Sequence, residues 1–169
     1  FDIPITYYIS PQLWAWKEKR VEIIRENVDQ MLVIFPFEED WFRERGVEAE
    51  FVGHPIFDEW SPSPKEELCK QLNLDPKEKI VTLYPGSRQQ EMDRHLPVFI
   101  MAAERLKKAD GGIQVVFGAA RELNLEKIEI PSWIKVEKNH PKKALECADL
   151  VLVSSGSSTI EAAVFGTPM

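Results

Sequence analysis

Short β-prone runs, each followed by a turn or a helix-compatible stretch, recur along the second half of this chain and constrain its fold more than any other feature. They are KIVTLY at 79–84, QVVF at 114–117, IKVE at 134–137 and LVLV at 150–153. LVLV is an unbroken apolar run, the pattern of a strand covered on both faces. Helical spacing fills the intervals: residues 95–108 with Pro97 marking the start, residues 141–147, and residues 159–165 after the last run. One more helix is allowed for between the second and third runs. The alternation predicts a parallel sheet wound with helices, in which ligands bind beyond the C-terminal ends of the strands.

The first third repeats the pattern on a smaller scale. PITYYI at 4–9, MLVIF at 31–35 and AEFV at 49–52 read as strands. A charged helix fits residues 16–27, and PFEE at 36–39 opens another that Gly46 closes, with Pro and acids at the start and Gly past the end. Trp14 and Trp16 are assigned to core packing from their spacing. Between the two parts, IFDEWSPSP at 56–64 has no periodicity and reads as a linker. Ser63 to Glu66 fits a capping box that starts a helix running to about Leu72.

Composition narrows the function classes. A formal net charge of -7 excludes a general nucleic-acid binder, which needs a broad basic surface to neutralise phosphates. The two cysteines, Cys69 and Cys147, form neither a CxxC metal pattern nor a disulfide framework. His54, His95 and His140 lack ligand spacing, so no metal is expected. No apolar run approaches the roughly 20 residues of a spanning helix, and no signal-peptide pattern is present. Phe1 stands without a Met just before a strand, and Thr167, Pro168 and Met169 stop where another strand should follow. The expectation is an internal piece of a longer protein.

Two turns carry candidate chemistry. Gly86, Ser87 and Arg88 follow the first run of the second half, and Ser155, Gly156 and Ser157 follow the last. Free N–H groups at a helix start and an Arg fork suit a phosphate or diphosphate. Glu161 suits a sugar diol, but it equally completes a capping box with Ser158, and the two readings stand level on this stretch. GxGxxG, P-loop and GxSxG patterns are all absent, which removes support for a Rossmann dinucleotide site, a P-loop and a serine hydrolase.

Five stretches taken together, SPQLWAWK (10–17), PFE (36–38), FVGHPIFD (51–58), YPGSRQQEM (84–92) and SSGSSTIEAAVFGTPM (154–169), closely resemble the lipid-A-disaccharide synthase family in order and spacing. The resemblance implies an α/β protein of glycosyltransferase-B type, two Rossmann-like parallel-sheet domains facing a cleft, both incomplete in this chain. Residues 1–55 would be the C-terminal part of the acceptor-side domain, 56–64 the linker, and 65–169 the donor domain truncated at its C-terminus. The implied reaction transfers 2,3-diacylglucosamine from UDP-2,3-diacylglucosamine to 2,3-diacylglucosamine 1-phosphate with inversion, giving a β-1,6-linked disaccharide and UDP without a metal or other cofactor.

Carried over residue by residue, the resemblance puts Gly86, Ser87 and Arg88 at the UDP diphosphate, Ser155, Gly156 and Ser157 at the opposing helix start, and Glu161 at the ribose. Ser10, Gln12, Trp14 and Trp16 would line the cleft, with His54 at the interdomain seam. The general base, an Asp, is expected upstream of Phe1. Lys17 stands where the family usually has Arg, and Ser157 and Ser158 where Thr-Ala is expected. Peripheral attachment to the cytoplasmic side of the inner membrane is implied, and a second copy of the chain is kept as a candidate partner. Two alternatives share the site chemistry: another enzyme of the same fold using UDP-N-acetylglucosamine (a 2-epimerase or a peptidoglycan glucosaminyl transferase), or a non-catalytic nucleotide-sugar module. The SPQLWAW stretch speaks against the former.

Overall fold

In the computed structural model, which describes residues 3–126 and 128–169, helices and strands alternate along the chain. Every strand pairing among the described residues is parallel, bearing out the α/β expectation. The chain divides into two units, Phe1–Ser61 and Pro62–Met169, and the division falls inside the stretch read as a linker.

The first unit is a three-stranded sheet in sequence order, β1 (Thr6–Tyr8), β2 (Gln30–Val33) and β3 (Ala49–Phe51). Its core gathers Leu13, Val21, Ile24, Met31, Val33, Phe42, Val47 and Ala49. The helix expected over 16–27 is shorter. Lys17 adopts the left-handed region at φ 59°, which interrupts a right-handed helix, so α1 is Val21–Asn27 behind a single 3-10 turn at Glu18–Arg20. Helix α2, Pro36–Arg43, starts on Pro as predicted, and Gly46 follows its end at φ 73°. The 56–64 stretch is not wholly irregular: α3, Ile56–Glu59, forms one helical turn, begun by the Phe57 and Asp58 N–H groups donating to the His54 and Pro55 carbonyls at 3.1 Å each.

The second unit starts with α4 (Lys65–Gln71), and its sheet has the order β6-β5-β4-β7, with β4 Lys79–Tyr84, β5 Ile113–Gly118, β6 Ile134–Glu137 and β7 Leu150–Val153. Side-chain alternation on β4 splits the core between two faces. Val81 and Leu83 pack with Met92, Leu96 and Phe117, while Ile80 packs with Leu68, Cys69 and Cys147. Both cysteines are free and buried, and burial, followed by the neighbouring Cys69, pushes the Cys147 thiol up to about 12. The expected Ser63 capping box does not form. The N-cap position is Pro64, one residue out of register, and the Ser63 N–H instead donates to Glu146 at 2.9 Å.

Two further expectations are corrected. Helix α5 runs Gln89–Ala109, so Pro97 lies inside it rather than at its start. A Pro in a helix interior costs about 3 kcal/mol, but starting at His95 would strip Met92 of the turn that buries it completely. No helix forms between β5 and β6 among the described residues. The connection is made of turns, and Ala119 and Leu123 anchor it in the core. After β6 come α6 (Pro141–Glu146), β7 and α7 (Ser157–Phe165). No helix of the described residues is long and apolar enough to cross a membrane.

Candidate functional site

Strands β4 and β7 are neighbours in register, with Tyr84 opposite Val153. Their C-terminal turns therefore emerge about 5 Å apart, the spacing of adjacent strands. That register brings the Gly86-Ser87 turn against the start of α7. A cavity of about 120 Å³ lies there, lined by Tyr84, Gly86, Ser87, Gly118, Ala120, Pro141, Ser157, Ser158 and Glu161. Gly86, Ser87, Ser157 and Glu161, far apart in sequence, thus meet at one cavity. Arg88, Ser155 and Gly156 do not line it: Arg88 is mostly exposed and pairs with Glu91 at 2.9 Å, and Ser155 and Gly156 are exposed in the turn above.

Glycine is required at Gly86 on two counts. Its φ is +118°, a conformation other residues rarely adopt, and a Cβ there would collide with the Glu91 side chain. The turn is also pinned by His95, whose Nδ1 bonds the Pro85 carbonyl at 3.1 Å. Opposite it, Gly156 caps α7 at φ 141°, and the first N–H groups of the helix have no carbonyl a turn back to bind. Ser157 and Ser158, the first two residues of that helix, line the cavity with Gly86 and Ser87 at the positive end of the helix dipole, while the Thr159 N–H donates to the Gly156 carbonyl at 3.1 Å.

The capping-box reading of Glu161 does not survive. Its carboxylate accepts instead from the Tyr84 hydroxyl at 3.1 Å, and Lys142 lies 3.7 Å from its other oxygen. The helix start is closed by the Thr159 hydroxyl, which donates to the Gly156 carbonyl at 2.7 Å. The Tyr84 phenol is held well above its ordinary pKa by burial first, then by the Glu161 charge and hydrogen bond. The Tyr84 hydroxyl, a donor at neutral pH as any phenol is, fixes the carboxylate. Sequence reasoning placed Tyr84 in a strand and overlooked Lys142. Tyr84 was legible only as the last strand residue before a turn, where side chains reach the site.

In the first unit, Ser10 is buried and Gln12 exposed, while Trp14 and Trp16 are 39% and 62% exposed, which overturns their assignment to the core. The apolar anchor of that loop is Leu13, at 3%. Trp16 carries Lys17 over its ring, 4.7 Å from the centroid. His54 accepts the Ile56 N–H at Nδ1 over 3.1 Å, so its neutral form carries the proton on Nε2, and its ring lies 6.0 Å from that of Phe35. Glu38, the last residue of the PFE stretch, was given no place in the binding site by the sequence. It is 1% exposed and accepts from Ser10 and Trp14. Among the described residues no group of three or more His, Cys, Asp or Glu side chains could hold a metal ion.

Parallel sheets in two units, with small-residue turns and a free helix start at the strand ends, define an α/β protein of Rossmann-like kind, consistent with incomplete glycosyltransferase-B domains. Comparison with known proteins narrows this. The family model for lipid-A-disaccharide synthetase matches residues 1–169, and the chain belongs to that family. It is 38% identical over 170 residues to the lipid-A-disaccharide synthase of Coxiella burnetii, covering 99% of this chain and 45% of the relative. It is 39% identical to that of Koribacter versatilis, covering 98% and 44%, and 38% identical to that of Trichlorobacter lovleyi, covering 99% and 45%. The chain therefore spans less than half the length of these curated relatives.

Proposed function

We propose that this chain is the nucleotide-holding part, with a portion of the acceptor side, of an enzyme that makes the lipid A disaccharide. The reaction is transfer of 2,3-diacylglucosamine from UDP-2,3-diacylglucosamine to 2,3-diacylglucosamine 1-phosphate, with inversion at the anomeric carbon. The observation that carries it is the cavity lined by Gly86, Ser87, Ser157 and Glu161 in a chain the family matches from end to end. Inverting transfer needs a base on the acceptor hydroxyl and positive charge at the departing UDP. Here the α7 N–H groups and Arg88 meet the second need, with Arg88 swinging from Glu91 to the diphosphate. Glu161, steadied by Tyr84, takes the ribose hydroxyls. In this reading those groups do the work without a metal, the base is an Asp outside these residues, and Ser10, Gln12, Trp14, Trp16 and His54 serve the acceptor. Membrane attachment is peripheral, at the inner membrane.

The test is turnover by the full-length protein with both lipid substrates, read by mass spectrometry, together with calorimetry of UDP. Wild type should form the disaccharide, and Arg88→Ala should weaken UDP by about 1.5 to 3 kcal/mol, the worth of a hydrogen bond to a charged group. Absence of the disaccharide sinks the reaction. Unchanged UDP affinity in the variant removes Arg88 from the site.

A further inference from the structure

A carboxylate is costly to bury unless its lone pairs are satisfied, and Glu38 is buried beyond the C-terminal ends of β1 and β2. Its Oε1 accepts from the Ser10 hydroxyl at 2.7 Å and the Trp14 Nε1–H at 3.0 Å, and its Oε2 accepts the Phe35 N–H at 3.1 Å. These donors come from two separate segments, the loop after β1 and the junction of β2 with α2. A core position that only had to be filled would take an apolar residue at lower cost. What Glu38 gains for the protein is a fixed loop.

The loop it fixes is held against its own backbone preference. Ile9, directly before Ser10, has φ 64°, an outlier for a β-branched residue, and such strain persists where surrounding contacts over-determine it. The outcome is an exposed indole in a set orientation. Trp14 meets Phe37 edge to face at 5.1 Å, and Phe37 stacks on Phe35 at 5.8 Å. Trp14 and Phe37 stay 39% and 50% exposed although apolar neighbours are at hand.

We infer that Glu38 is a positioning residue for the acceptor: it locks the Trp14 indole, with Phe37, into a rigid wall that receives an amphiphilic, acylated sugar. This rests on the transferase reading above. The indole N–H is spent on Glu38, leaving the ring to make apolar contact with the ligand. Preorganising that wall lowers the ordering cost of acceptor binding and leaves the donor site untouched.

Steady-state kinetics of the full-length protein test it, with donor and acceptor varied separately. Trp14→Phe keeps the ring against Phe37 but removes the N–H. Glu38→Gln keeps the volume but turns one acceptor atom into a donor. Each should raise the acceptor KM about tenfold while kcat and the donor KM stay within about twofold. A merely structural role would lower the amount of active enzyme, and hence kcat, without moving the acceptor KM. Should Glu38→Gln fail to fold, Trp14→Phe alone decides. An unchanged acceptor KM, or equal losses for donor and acceptor, overturns the inference while the transferase reading stands. A wild type that transfers nothing overturns that reading and this inference with it.

Discussion

Glu161 shows how much one side chain's role depends on partners that sequence spacing does not display. Its position three after Ser158 matches a capping box, yet the carboxylate turns to Tyr84, 77 positions away in sequence. Glu161→Gln separates the remaining roles. Gln still accepts from the Tyr84 hydroxyl, and the Lys142 pair it loses is long, at 3.7 Å, has its Lys142 end in solvent and is worth under about 1 kcal/mol. The melting temperature should hold within about 4 °C. UDP affinity should fall about tenfold or more, because charge-assisted bonds to both ribose hydroxyls cannot be kept by a group with one donor end. 2′,3′-Dideoxy-UDP should lose far less. Calorimetry with the two nucleotides checks this, and equal losses would return Glu161 to a structural part. Glu38 teaches the same lesson. It stood in a helix-opening PFEE pattern that explained it locally, and only the fold brings Ser10 and Trp14 to it.

At the scale of elements, the strands were legible because short β-prone runs between turn residues leave few alternatives. β4, β6 and β7 begin and end where the sequence places them. Helix starts were less so. Capping and proline signals are local, whereas the start of α5 is decided by the burial of Met92 and Leu96 on the sheet. Close approach between elements was not legible at all. Gly118 ends β5 against the Tyr84 ring, and a Cβ there would lie 2.9 Å from Cδ2 of Tyr84 and 3.2 Å from the Pro141 carbonyl. The backbone of α6 and a packed ring leave little room to yield. Gly118→Ala should therefore destabilise the second unit by about 1 to 3 kcal/mol and weaken UDP by displacing Tyr84 from Glu161. Denaturant unfolding followed alongside UDP titration reads both effects. A variant as stable as wild type with full UDP affinity would show that Tyr84 does not set the cavity.

For the molecule as a whole, binding and turnover should come apart. The residues proposed to hold UDP all belong to Pro62–Met169, a unit with its own sheet and its own core on both faces. The residue proposed to deprotonate the acceptor is not among these 169, which span less than half of the relatives' length. Leaving-group stabilisation without a positioned base lacks both the proton acceptor and the oriented nucleophile, each worth orders of magnitude in rate. The 169-residue chain alone should thus bind UDP, with Arg88→Ala weakening it, and form no disaccharide from the two lipid substrates. Calorimetry for the nucleotide and mass spectrometry for the product, run beside the full-length protein, make the comparison. Disaccharide from the short chain would put the base within these residues. His54, whose Nδ1 accepts the Ile56 N–H, and Glu38 would then be the groups to test, and Glu38 would have to give up its bond to Trp14 to act.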